Sequence, residues 1–151
     1  MRIVLSAALL LTVSLTAADQ ARQPTPMLSV FKTPTCGCCA KWVDHMRQNG
    51  FNVHVTDLND VSAVKSKHGV PARLQSCHTG LVNGYVIEGH IPAADVKRLI
   101  KEKPAVVGLA VPGMPAGSPG MEVPGIAAPA YQVLSFDKAG ATKVFATHGQ
   151  R

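Results

Sequence analysis

Three cysteines crowd into four residues, Cys36-Gly37-Cys38-Cys39, and a fourth, Cys77, stands far downstream. The trio offers a C-x-x-C spacing, a C-x-C spacing and a vicinal pair at once. Disulfide exchange needs two sulfurs, so the third calls for its own explanation. Thiolate is both the nucleophile of redox chemistry and the soft ligand of a metal site. Four soft sulfurs select Cu(I), zinc or an iron–sulfur cluster over oxygen-loving cations. Zinc sites usually draw on two separated cysteine pairs, a pattern that this sequence fits poorly. Adjacent thiolates can instead each bridge two ions, an arrangement cuprous copper accepts. The expectation is a polynuclear copper site, with more than one Cu(I) held by Cys36, Cys38, Cys39 and Cys77. Three alternatives stand beside it. They are a thiol–disulfide oxidoreductase using Cys36 and Cys39, a zinc-binding structural module, and two structural disulfides. The last is weakened because vicinal Cys38 and Cys39 cannot join each other without strain.

Four further side chains are candidates to ligate the metal or support its ligands. His78 follows Cys77 directly. His90 returns to the same end of the fold if Asn83-Gly84 turns a hairpin. Met114 and Met121 carry thioethers, soft uncharged ligands, in a Pro/Gly-rich stretch that could cover the site. Met46 reads as core and His45 as solvent-facing. His54 and His68 are expected to be structural, and His148 falls in a tail expected to fray.

These residues need elements to position them. Met27 to Lys32 has the composition of a buried strand. After the cysteines, Trp42, Val43 and Met46 mark one face of a helix, stopped at Asn49-Gly50. Phe51 to Asp57 alternates as a second strand. A short helix follows through Val61, Val64 and Lys67, capped by Asp57 or Asn59 and ended by Gly69. His78 to Val82 and Tyr85 to Glu88 flank Asn83-Gly84, a strong hairpin signal. Pro92 opens an amphipathic helix through Val96, Leu99 and Ile100. Residues 104–130 are rich in Pro and Gly with a single charge, Glu122, so an ordered, packed loop is expected rather than a linker. Residues 131–146 read as a second hairpin around Asp137-Lys138-Ala139-Gly140. The order strand, Cys-rich turn, helix, strand, helix, hairpin, helix is that of a thioredoxin-like α/β domain. In that architecture a cis-proline followed by threonine usually presses against the reactive cysteines. Here Cys77-His78-Thr79 occupies that loop, which brings the fourth sulfur to the other three.

Length and composition bound the rest. The 151 residues suit one ordinary domain. An apolar share of 46% excludes wholesale disorder. The net charge of +6 is spread without any run of three basic residues, which argues against a nucleic-acid surface. Met1-Arg2, the apolar Ile3 to Leu15 and the small Thr16-Ala17-Ala18 form a secretory signal peptide over residues 1–18. The apolar run falls short of the ~20 residues that span a bilayer. Loss of this segment removes Arg2 and leaves a charge of +5. Residues 19–26 then form a flexible lead-in to a domain over 27–148. An exported protein works where thiols tend to be oxidised unless protected.

Several motifs occur together in order: Thr-Pro-Thr-Cys-Gly-Cys-Cys before a Trp-bearing helix, Ser-Cys-His-Thr, Glu-Gly-His-Ile-Pro, and Gly-Leu-Ala-Val-Pro-Gly-Met-Pro-Ala-Gly-Ser-Pro-Gly-Met-Glu. Over about residues 27–148 the chain resembles the CopG-type copper-resistance proteins, a bacterial periplasmic family with a thioredoxin-like core. The resemblance implies copper binding in the periplasm, a part in copper resistance and Cu(I)/Cu(II) redox chemistry. Cys36, Cys38, Cys39 and Cys77 match the family's cysteines, and His90 and the methionine loop match its motifs. The expected work is protection of the envelope from copper. It would proceed by sequestration, by handover to copper-efflux or other periplasmic copper-handling partners, or by cycling the oxidation state.

Overall fold

A computed structural model describes residues 25–150. The expected signal peptide and most of the lead-in lie outside the described residues. Strand β1 (Met27–Lys32) buries Leu28 and Val30 completely and pairs in parallel with β2 (Asn52–Asp57), from Met27 opposite Asn52 to Lys32 opposite Asp57. Between them runs helix α1 (Gly37–Gln48), whose buried face is Cys39, Trp42, Val43 and Met46. That i, i+3, i+4, i+7 spacing is the apolar stripe of a helix packed on one side. The helix stops where expected. Gly50 N–H donates to Arg47 O at 3.0 Å and Phe51 N–H to Met46 O at 3.1 Å, a Schellman closure that tucks Phe51 into the core beside Met46.

Helix α2 (Ser62–Lys67) and a short 3-10 turn (Ala72–Leu74) lead to the hairpin of β3 (Thr79–Val82) and β4 (Tyr85–Glu88). Its two turn residues, Asn83 and Gly84, have φ of +48° and +84°. Both left-handed positions are what a type I′ turn demands. Neither Asp57 nor Asn59 caps α2: its boundary residue is Val61, with no side-chain cap, and Asp60 Oδ1 just before it accepts from Ser62 N–H at 2.9 Å. Helix α3 (Ala93–Glu102) starts after Pro92 and buries Ala93, Val96 and Leu99.

Within the stretch read as an ordered loop, Gly108–Ala110 forms a three-residue strand, β5. It lies parallel to β4 and antiparallel to β6 (Tyr131–Phe136), which pairs with β7 (Thr142–His148). The C-terminal hairpin is therefore part of one seven-stranded mixed sheet in the order β2-β1-β3-β4-β5-β6-β7. Strand alternation splits the core between the two faces. Ile87, Leu109 and Val133 pack with α1 and α3, whereas Val86, Ala110 and Phe136 pack with Val70 and Leu74. His148 is not in a frayed tail. It sits in β7 with Nε2 2.6 Å from Asp95 Oδ2, joining the last strand to α3. Among the described residues, no helix is long and apolar enough to cross a membrane.

Candidate metal centre

Cys36 is the N-terminal boundary residue of α1, and Cys38 and Cys39 lie in its first turn. The helix begins here because Thr33-Pro34-Thr35 breaks the strand, with Cys36 N–H returning to Thr33 O at 3.1 Å. Unpaired N–H groups and the positive end of the helix dipole then lie at these three cysteines. Cys77 arrives from the other side, on the loop entering β3. The sulfurs of Cys36, Cys38, Cys39 and Cys77 all lie within 4.8 Å of one another. The spatial convergence expected from the sequence is present.

The sulfurs are not all free. Cys36 and Cys39 are joined as a disulfide, while Cys38 and Cys77 are thiols. A second disulfide, between Cys38 and Cys77, is not formed. The C-x-x-C spacing across the first helical turn brings those two side chains together, whereas the sulfur of vicinal Cys38 stays unbonded 3.5 Å from Cys36 Sγ.

Imidazoles flank Cys77. Its Sγ lies 3.0 Å from His90 Nε2 and 3.3 Å from His78 Nδ1. His90 Nδ1 lies 2.8 Å from Pro119 O. A carbonyl only accepts, so Nδ1 carries the proton and Nε2 turns its lone pair toward Cys77. Burial pushes the Cys77 thiol up to about 11, with the nearby Cys38 adding to the effect. Burial also lowers His90, and it holds His78 well below the usual imidazole range, helped by His90 and the Lys65 charge. Cys77, His78 and His90 therefore rest as neutral groups at pH 7, with Cys77 donating to a neutral imidazole. His78 is fully buried, 4.3 Å from the Trp42 ring, and its Nε2 has no hydrogen-bond partner.

The Pro/Gly-rich segment lies over the first turn of α1. A Cβ on Gly120, whose φ is +85°, would sit 2.7 Å from Cys38 O and 2.9 Å from Trp42 N. Only glycine permits this approach, and it sets Pro119 O against His90. Of the two loop methionines, Met114 is 52% exposed and Met121 half-buried. His45 is not simply solvent-facing: its Nε2 accepts from Ala93 N–H at 3.1 Å, serving the start of α3. His54 is exposed and His68 half-buried, with no place in the cluster.

A buried charge network was not foreseen. Glu88, fully buried at the end of β4, accepts from Lys65 Nζ at 2.6 Å, Ser76 N–H at 2.7 Å and Thr79 Oγ1 at 2.7 Å. Lys65 is itself buried and also reaches Thr79 Oγ1 at 3.0 Å. Burial raises the Glu88 carboxyl and the Lys65 charge opposes that rise. The network ties the residue before Cys77 to the residue two before His90, so it fixes the segments that carry both side chains. In the sequence, an acidic residue ending an alternating strand looks like a solvated one. Its partner lies 23 positions away in another element, and only the fold brings them together.

Comparison with known proteins adds to this geometry. A family described as "Protein of unknown function, DUF411" matches residues 74–121, which hold Cys77, His78, His90 and both loop methionines. No curated protein matches the chain. Two solved structures, titled "Copper resistance protein copG- Form 2" and "Copper resistance protein copG- Form 1", are each 45% identical. In each case the match covers 82% of this chain and 98% of the other, at a TM-score of 0.77. Identity at that level across nearly the whole of those chains, on a matching fold, means that this chain belongs to the CopG copper-resistance protein family.

Proposed function

We propose that this protein binds copper in the service of copper resistance, holding cuprous ions in a polynuclear thiolate site. Once the Cys36–Cys39 bond is reduced, Cys36, Cys38, Cys39 and Cys77 supply four soft donors. Their mutual approach within 4.8 Å is the observation that carries this reading. Ions bridged by shared thiolates need such crowding, and a tetrahedral zinc site does not need three ligands in one helical turn. The names of the two similar structures support copper as the cargo. Met114 and Met121 are the loop donors available for an additional contact. The domain over residues 27–148 works as a thioredoxin-like scaffold, exported to the periplasm behind the 1–18 signal peptide. There it sequesters copper, passes it to efflux or other copper-handling partners, or cycles it between Cu(I) and Cu(II).

The observed Cys36–Cys39 disulfide favours one second reading, a thiol–disulfide oxidoreductase using that pair. Metal analysis of the reduced protein separates the readings. Several Cu(I) per chain supports the thiolate cluster. One zinc supports a structural module, and disulfide exchange without bound metal supports the oxidoreductase. Cys77→Ser is expected to cripple copper loading, and intact stoichiometry in that variant would contradict the four-sulfur site.

A further inference from the structure

A cleft of about 940 Å³ opens at the start of β4, whereas the sulfur centre lies beyond that strand's end. Its volume is in the range of small-molecule sites. Val86, Val106 and Val107 form its floor. The backbone there is already paired: Val86 N–H donates to Val107 O at 3.0 Å and Val107 N–H to Phe136 O at 2.8 Å. The floor therefore offers apolar contact, and polar recognition must come from the walls. Both walls are tight turns. On one side α2 ends at Lys67, where Gly69 N–H closes on Ser66 O at 3.1 Å and Val70 N–H on Lys65 O at 3.0 Å. On the other side Asp137 Oδ1 accepts from Ala139 N–H and Ala141 N–H, each at 2.9 Å. Asp137 is the one acid among the lining residues, and its own turn occupies that oxygen. Each wall carries an exposed lysine, Lys67 or Lys138. Among the described residues neither takes part in an ion pair.

An apolar floor beneath two unpaired ammonium groups matches a ligand with an apolar body and a negative head. Other occupants fit less well. Among the described residues no aromatic ring lines the cleft for a nucleic-acid base to stack on. The helix end here is a C-terminus, so it has no free N–H groups to cradle a phosphate. The exposed large apolar side chains of the described residues, such as Met114, Ile126 and Val144, all lie outside the cleft, which leaves no apolar surround for a protein partner. Two copies meeting here would set lysine against lysine. We propose that this cleft binds a small monocarboxylic acid, with the carboxylate at Lys67 and Lys138 and the hydrocarbon body on the valine floor. The site uses none of the sulfur or imidazole side chains of the metal centre, and it stands whether or not copper is the cargo.

Octanoate is the probe, titrated into the metal-free full chain and followed by backbone amide NMR. It is expected to shift the amides of Gly69, Gly84, Val107 and Ala139. Acetate, which lacks the body, and octanol, which lacks the charge, are each expected to bind roughly tenfold more weakly. Lys67→Glu combined with Lys138→Glu is expected to weaken octanoate binding by roughly tenfold or more. Circular dichroism should not change in that variant, because both side chains are exposed. Absent shifts, shifts confined to other residues, or octanol binding as tightly as octanoate would overturn the site. So would octanoate affinity indifferent to the double charge reversal. A short peptide with an apolar last residue and a free C-terminal carboxylate is the competing source of the same head group. If it binds more tightly than octanoate, a protein terminus is the occupant and the small-acid proposal fails.

Discussion

Single side chains set the electrostatics of the centre, and two consequences can be measured there. A Cys77 thiol raised to about 11 carries about 100-fold less thiolate at pH 8.5 than a free cysteine near 9. Higher intrinsic nucleophilicity returns about tenfold of that. Iodoacetamide is therefore expected to label Cys77 about tenfold more slowly in the folded, metal-free protein than in urea, as read by peptide mass spectrometry. The histidines act on stability. His45, His78 and His90 all have lowered pKa values, so the folded state binds fewer protons than the unfolded state below about pH 6.5. The stability of the metal-free protein is present above that pH and falls as the pH drops through it. A buried histidine contributes at most about 1.4 kcal/mol per pH unit, and half-exposed His45 contributes less because solvent screens it. Urea titrations at pH 7.5, 6.5 and 5.5 are expected to show this decline, with a shallower slope for His78→Gln. The cysteine trio and Cys77 were legible as a site because sulfur chemistry is written in residue type and spacing. The tautomer of His90 and the partners of His45 and His148 were not, since each depends on an atom from a distant element.

At the scale of elements, the centre is the meeting of a helix N-terminus, a strand entry and a covering loop. Most of these elements announced themselves. The Trp42-Val43-Met46 stripe, the Asn83-Gly84 turn and the Pro92 helix start are local signals, and each stands where its residues placed it. Strand β5 did not, because three residues are too few for any period and Gly108–Ala110 sits among prolines. The Lys65–Glu88 pair was equally hidden, since α2 and β4 meet only in the fold. Removing one partner of a buried ion pair leaves an uncompensated charge. Glu88→Gln is therefore expected to lower unfolding stability by about 3–5 kcal/mol in urea titration. The covering loop depends on Gly120. Gly120→Ala places a Cβ against Cys38 O and Trp42 N at a left-handed φ, so the loop must lift. It is expected to cost about 1–3 kcal/mol and to weaken copper retention against a Cu(I) chelator by freeing His90 from Pro119. Unchanged retention would show that the loop does not support the centre.

The described residues build one continuous seven-stranded sheet, with the centre at the entry to β3 and the C-terminal hairpin at one edge. The hairpin contributes Val133 and Phe136 to the two faces of the core and covers the edge of β5. Truncation after residue 128 is expected to leave a soluble-core deficit and an open strand edge, giving aggregation in size-exclusion chromatography rather than a smaller folded domain. The hairpin was legible as two alternating strands, but its membership of the main sheet was not, because the strand linking them was unread. At this scale the chain joins a scaffold that holds sulfur from two distant segments with a family concerned with copper. The most direct test is X-ray absorption at the copper edge on reduced, Cu(I)-loaded protein. Sulfur-dominated first-shell scattering together with a copper–copper distance is the result expected of a thiolate-bridged cluster. A nitrogen- or oxygen-dominated shell with no copper neighbour would contradict it.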